Sequence, residues 1–437
     1  MARNTAIGRD TTGEGDAGVT AIRASHYAPL NAKLTNSRSF IITLGLLTAV
    51  AALTVDLSLP AIPAMVDALG TTLSRGQQIV GIFMFGMSLG QIPFGLMSDR
   101  FGRMPVIYGG MSLFAVAAAI VAFADNMDIL LAGRFVQGIG AASAIVISRA
   151  IVRDIASGKD AARLMSLMTM IFTAAPVIAP SIGALLVAQW NWRAPFVIIA
   201  VCGVLLLVGI RSNLEETHTP DDSERPLRQL IGSFREFFSH RQSIFGLLML
   251  ILPPAGFMSV IAVSAALTVE IYGFSIQQYG VIFALAGLSI LAGSAMNRWL
   301  IMRFDMMQLI KLGVALIFTA SAQLIVIACL DKVSFWWIWS CVCLYMFTIA
   351  ILMANATVLA LDPLPRIAGV ASSIIGTTQN AVGASGALLA ALIYDGTVRN
   401  AVIIMAATGT LTTLIFLFRP LICPGRMVHH PDELARD

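Results

Sequence analysis

Long apolar runs alternate with short polar breaks along the chain, and each run is about as long as a helix that crosses a bilayer. A hydrocarbon core ~30 Å thick takes roughly 20 mostly apolar residues per helical span. The pattern predicts twelve spans, near 40–66, 77–97, 104–124, 128–151, 163–188, 192–211, 243–269, 277–301, 307–330, 335–360, 367–393 and 398–419. The first 38 residues open MARNTAIGRDTTGEGDAGVT, hold no apolar run and read as a disordered tail. They lack the pattern of a removable signal, so span 1 is expected to direct insertion. The longest internal polar stretch, 212–242, divides the spans six and six and reads as a solvated linker with a short amphipathic helix. The expected organisation is therefore a tail (1–38), six spans (39–211), the linker (212–242), six spans (243–420) and a second tail (421–437).

Composition turns this pattern into a membrane assignment. Hydrophobic residues make up 57% of the 437 and charged residues 12%, against about 45–50% and ~25% in soluble chains. So few charges cannot cover a soluble surface of this size. The net charge of +4 is spread rather than gathered into a basic face, which argues against a nucleic-acid partner. The five cysteines (Cys202, Cys329, Cys341, Cys343, Cys423) lie mostly in apolar runs without metal-ligand spacing, so neither a metal nor a disulfide framework is expected. Lys and Arg sort to one side: Arg100, Arg103, Arg153, Lys159 and the linker arginines fall on the side of the tails. The opposite loops hold only Arg75, Arg193, Lys332 and Arg399. By the positive-inside rule both termini are expected in the cytoplasm. Six spans and six spans suggest a duplication, faintly echoed where span 2 ends GLMSDRFGRMP and span 8 ends MNRWLIMRFDMM.

Charges within spans are costly and mark function. Asp56 of span 1 (AALTVDLSLPAIPAM) and Arg134 of span 4 (LLAGRFVQGIGAASA) both fall in the outer half of the membrane at similar depth. Desolvation favours the neutral form of a carboxyl group and a nearby guanidinium the ionised form. A changing distance between two such groups would load and release a proton; the plainer alternative is a static pair that fixes helix register. The loop after span 2 places Gly95, Asp99, Arg100, Gly102, Arg103 and Pro105 in one short segment, with Asp154 on the same side after span 4. Glycines allow the tight turn and Pro suits the first turn of the next helix, so these charges can form one network.

These residues resemble the major facilitator superfamily. GLMSDRFGRMP is similar to its loop 2–3 signature, and RFVQGIGAA, with Arg134, Gln137 and Gly138, to the span 4 pattern of proton-coupled members. APVIAPSIGA, with Pro176, Pro180 and Gly183, resembles the span 5 motif of the drug:proton antiporter branch, and DLSLPAIP looks like span 1 of the Bcr/CflA group. The span 5 motif departs from the broader pattern at Ala179 and Ala184, where glycines are usual; the Bcr/CflA group itself tends to carry Ala-Pro at the first of these. The resemblance implies an all-α membrane protein with the major facilitator fold, two six-helix bundles, working as a monomer in the bacterial inner membrane. It implies a cytoplasmic latch at Asp99, Arg100 and Arg103 with Asp154 as counter-charge, a bent span 5, and proton coupling at Asp56 with Arg134.

A cavity between the halves is expected to draw on Met84, Met87, Met168, Phe172, Phe257, Asn355, Gln379 and Asn380. Met and aromatic side chains suit apolar molecules of varied shape; packing and helix–helix contact are the bland alternatives for the same residues. Glu215, Glu216, Asp221 and Asp222 are expected to be solvated, and His429 and His430 to lie in a polar tail. No phosphate-binding loop, metal-ligand pair or nucleophile motif appears, so no cofactor and no enzymatic activity are expected. The expected function is proton-driven export of small amphipathic drugs, phenicol, sulfonamide or bicyclomycin-like. The rivals are a proton symporter importing a metabolite, and a sensor that keeps a transporter fold and moves nothing.

Overall fold

The computed structural model describes residues 38–156, 158–218, 225–330 and 332–423. Both expected tails, Asp221, Asp222, His429 and His430 lie outside the described residues, apart from the first few positions after 420 and residue 38. Twelve long helices are present among the described residues. The first half comprises α1 (Arg38–Ala68), α2 (Leu73–Phe101), α3 (Arg103–Ala122), α4 (Met127–Ile155), α5 (Gly158–Gln189) and α6 (Ala194–Asn213). A linker helix, Arg225–Ser239, leads to α7 (Arg241–Ala265, continued by a wider turn at Ala266–Ile271), α8 (Ile276–Leu300), α9 (Met306–Ala328), α10 (Phe335–Leu361), α11 (Ala368–Ile393) and α12 (Val398–Leu417).

Local chemistry sets the ends and the breaks. Asn126 caps α4 by accepting from the Ile129 N–H at 2.9 Å, and Ser275 with Gln278 forms a capping box at the start of α8. A 3-10 turn at Leu59–Ala61, carrying Pro60, interrupts α1. Eleven of the helices are apolar enough to cross a membrane by composition alone. The exception is α11, whose Ser372, Ser373, Thr377, Thr378, Gln379 and Asn380 lower its apolar content. Its packing gives the reason, because α11 lies against α2 and α7 rather than at the rim. Around the outside, Leu205, Val281 and Leu417 are each more than 60% exposed, the arrangement expected of side chains that face lipid.

The two halves repeat one packing scheme. In the first, α1 packs on α5, α2 on α4, and α3 on α4 and α6; in the second, α7 packs on α11, α8 on α10, and α9 on α10 and α12. The duplication that is faint in sequence is plain in this pairing. The halves meet along two seams, α2 with α11 and α5 with α8, which the same repeat relates to each other.

Small residues make the seams close. A Cβ on Gly81 would stand 2.5 Å from the Leu388 side chain, and one on Gly280 2.9 Å from the Ser181 Cα. Ser181 donates to the Gly280 carbonyl at 3.1 Å, and Ser88 to the Thr377 carbonyl at 3.0 Å. One apolar core fills the first half to its linker side, with Phe40, Val152 and Leu214, and crosses into the second half on the side away from the linker, called distal below, where it includes Tyr279, Phe283 and Ala387. Toward the linker the second half has a core of its own around Phe245, Leu250, Leu359 and Ile374. The halves are therefore joined most continuously on the distal side.

Candidate functional site

Asp56 lies three residues before the break in α1 and is 4% exposed. Among the described residues no hydrogen bond or ion pair reaches its carboxylate. The break that follows packs against α5 and also against α7 and α8 of the other half. The next residue, Leu57, presents its carbonyl to Gly183, where a Cβ would come within 2.3 Å. Asp56 is thus a carboxyl group at the junction of the halves, held in place by a contact that only glycine permits.

Arg134 does not pair with Asp56. It is fully buried, and its Nη2–H donates to Ser58 Oγ at 3.3 Å, its Nη1–H to Gln137 Oε1 at 3.0 Å and its Nε–H to the Ile79 carbonyl at 3.4 Å. The guanidinium also lies 4.7 Å from the centre of the Phe83 ring and 5.9 Å from that of Phe196. Such contacts spread a buried positive charge over several weak partners. Ser58 passes its own hydrogen to the Val55 carbonyl at 2.8 Å, so Arg134 grips the turn of α1 that carries Asp56 rather than the carboxylate itself.

The loop between α2 and α3 forms the expected charge network and recruits more. Arg103, though nearly buried, pairs with Asp99 and with Asp154, whose Oδ2 is 2.8 Å from its Nε. Ser98 Oγ accepts from Arg103 Nη1 at 2.9 Å. Gly102 turns the chain at φ 93°, a left-handed conformation that favours glycine. Arg100 stays outside the network, its guanidinium 5.3 Å from the centre of the Phe101 ring. Gly95 meets only the Val146 side chain, at 3.6 Å, an ordinary contact that makes no steric demand for glycine.

The linker completes this network, which the sequence did not reveal. Glu216 is exposed, yet its two carboxylate oxygens accept from the Arg103 and Met104 backbone N–H groups at 2.8 and 2.9 Å. It caps the start of α3, where uncompensated N–H groups favour an anion. Thr217 donates to Asp154 at 2.9 Å, and His218 Nε2 lies 3.1 Å from the Asp99 carbonyl. The expectation of a merely solvated Glu216 is therefore corrected, because an N-terminal cap 112 residues distant in sequence leaves no local signature.

The span 4 and span 5 motifs act through close approach. A Cβ on Gly138 would stand 2.0 Å from the Phe83 carbonyl, so α2 and α4 touch there backbone to backbone. Pro180 lacks an N–H, which leaves the Pro176 carbonyl without its helical partner. That carbonyl faces Gly287 of α8, 3.0 Å from where a Cβ would be. Ala184, in place of the family's glycine, is buried and fits because its neighbour across the seam is Gly280.

The residues named for a cavity differ widely in exposure. Met84, Met87 and Met168 are buried, Phe257 is half-buried, and Phe172 is exposed. Met84 reaches Gly383 of α11 across the seam. Asn355 turns into the second half, donating to Asn297 and to the Ile351 carbonyl, both at 2.8 Å. Gln379 donates to the Leu250 carbonyl at 3.3 Å and Asn380 to that of Gly376 at 3.0 Å. All three amides have partners within protein, as groups withdrawn from water require.

Comparison with known proteins bears on the family and the fold. The model of the Major Facilitator Superfamily matches residues 44–387. A bicyclomycin resistance protein homolog of Haemophilus influenzae is 28% identical over 382 residues, covering 87% of this chain and 95% of that protein. Multidrug resistance protein MdtL of Shigella flexneri serotype 5b is 27% identical over 393 residues, covering 87% and 94%. Among solved structures, a bacterial homolog of the human lysosomal transporter Spinster, inward-facing and unoccupied, aligns with TM-score 0.67 at 14% identity over 90% of this chain and 96% of that one. A D-xylose-proton symporter aligns with TM-score 0.65 at 16% identity over 86% and 97%. At such identities the solved structures bear on the fold alone.

Proposed function

Since the chain belongs to the Major Facilitator Superfamily and is a multi-pass membrane transporter, we propose that it exports small amphipathic drugs in exchange for protons. Asp56 carries the proton. The observation behind this reading is a buried carboxyl without a cation, placed where α1 breaks against α5, α7 and α8. Motion of one half against the other changes that environment, and a proton that binds one state better than the other biases the same equilibrium as the drug. Names of relatives supply the substrate class: bicyclomycin and multidrug resistance.

The loop arginines support a linker side, and both termini, on the cytoplasmic face of a bacterial inner membrane. On the distal side Arg75 pairs with Asp128 and Arg193 with Asp125, which offsets half of the few positive charges there and fits this orientation. The shared distal core then describes a state closed to the outside. Drug enters from the cytoplasm, the seams reopen distally, and Asp56 takes a proton from outside as drug leaves. The transporter works as a monomer, since each six-helix half finds its partner within the chain.

The test is proton movement in vesicles holding purified protein and a pH indicator, with chloramphenicol, sulfonamides and lipophilic cations as probes, then sugars and amino acids. Drug-triggered flux that vanishes in Asp56→Asn is expected. Flux triggered only by a nutrient would overturn export in favour of a symporter. Silence across the panel with folded protein would leave a non-transporting sensor.

A further inference from the structure

The linker helix, Arg225–Ser239, has more apolar surface than its own packing uses. It lies on α7 and α11 at the linker-side end of the second half. Phe237 is fully buried in the core there, and Phe234 packs against it. Two further apolar side chains stay outside, Ile231 at 64% exposed and Phe238 at 48%. Phe238 is held firmly in that position, because its ring is braced by those of Phe237 and Phe234, with centres 5.3 and 6.3 Å away. The helix thus buries one flank and presents a second apolar flank outward.

Charge and position indicate what that second flank meets. Ile231, Arg235 and Phe238 are four and three residues apart and so share one side of the helix. Glu236 stands about 140° round from Ile231. Arg235 is exposed and makes no ion pair among the described residues. By sequence the helix carries Arg225, Arg228 and Arg235 against Glu236 alone, and Arg241 follows it. The lipid-facing rim of the second half reaches the same level. Ile422, just beyond α12, and Val370 of α11 pack on the core that holds Phe237. Beside Ile422, the side chains of Leu417, Phe418 and Leu421 are each more than half exposed. An apolar flank edged by arginine, at the rim of a membrane domain, has the character of a helix lying in the bilayer interface. Its excess of cations suits anionic headgroups.

We propose that the linker helix is an interfacial anchor for anionic lipid. Ile231 and Phe238 enter the acyl boundary of the leaflet on the linker side, and Arg235 binds headgroups such as that of phosphatidylglycerol. Through Phe234 and Phe237 the anchor is tied to the core shared by α7 and α11, so it fixes the linker-side end of the second half against the leaflet. The inference does not depend on the substrate, on Asp56 or on which way the protein faces.

Fluorescence quenching of the full-length protein in liposomes of phosphatidylcholine and phosphatidylglycerol tests this. In a background lacking the five native cysteines, bimane is attached at Ile231→Cys, at Phe238→Cys or, as a water-facing control, at Glu236→Cys. Lipids brominated along the acyl chain are expected to quench the first two, and aqueous iodide the third. Brominated phosphatidylglycerol is expected to quench more than the same amount of brominated phosphatidylcholine. Arg235→Gln is expected to reduce that preference roughly fivefold, the factor for ~1 kcal/mol per arginine at an anionic surface. Ile231→Cys alone carries the test where Phe238→Cys does not fold. Iodide quenching at Ile231→Cys and Phe238→Cys equal to that at Glu236→Cys overturns the anchor. Quenching by neither agent means that another segment of chain covers the flank, and overturns it too. Equal quenching by the two brominated lipids overturns the anionic headgroup contact.

Discussion

Arg134 is fully buried and faces two aromatic rings, a serine, a glutamine and a carbonyl, with no ion pair among the described residues. Its hold depends on a planar, forked cation. Lysine keeps the charge but offers one compact donor group. Arg134→Lys is expected to lose at least one charge-assisted hydrogen bond, roughly 1.5–3 kcal/mol, read as a fall in thermal stability and about a tenfold loss of drug-driven proton flux. Asp56 and Arg134 are legible in the sequence because charges inside apolar runs stand out. Ser58 is not, since hydroxyl side chains are common in spans and only the fold shows that this one faces the Arg134 guanidinium. Gly138 was legible as a motif, and the structure supplies the reason. Gly138→Val would drive a side chain into the Phe83 carbonyl and is expected to abolish folded protein in detergent, measured by size-exclusion chromatography.

Among the elements, α3 shows how far a helix can depend on a distant segment. Its first two N–H groups are capped by Glu216, and the same three-residue stretch reaches Asp154 and Asp99. Removal of a cap costs ~1 kcal/mol. Glu216→Ala is expected to lower thermal stability by about that much, whereas Glu215→Ala, in which no such contact is lost, is expected to leave it unchanged. A denaturation series on both variants separates capping from general linker charge. The sequence could not show this: it marks 212–242 as polar and mixed in charge, and nothing local in it distinguishes a cap from a solvated glutamate. The helices themselves were legible, because their apolar length matches a bilayer. Even α11, the least apolar, was found by its position between two polar breaks, although its role as a seam element emerges only from its contacts with α2 and α7.

At the scale of the molecule, the proposed transport cycle requires motion at the two related seams. Opening on the distal side must separate Gly280 from Ser181 and Gly81 from Leu388. Gly280→Leu places bulk where a Cβ already stands 2.9 Å from backbone, so distal closure is expected to fail. In a background lacking the five native cysteines, Ser181→Cys should react faster with an impermeant maleimide applied from outside when Gly280→Leu is also present. Equal reactivity would show that the seam closes by another route. Six and six spans were legible from the linker, but the packing scheme repeated between halves was nearly invisible in sequence. Helix pairing constrains size and polarity at scattered positions and leaves residue identity free.

The clasp on α3 also bears on how the protein is made. Ribosomes deliver the chain from its N-terminus, so α1 to α6 emerge before Glu216 does. Throughout that interval Arg103 and Met104 present uncapped N–H groups, and Arg103 and Asp154 lack the support of Thr217. The first half acquires its finished linker-side face only when synthesis passes His218, as the second half begins to appear. A fragment ending at Asn213 should accordingly be cleared faster by membrane proteases than one ending at His218, a difference of five residues measurable by pulse-chase.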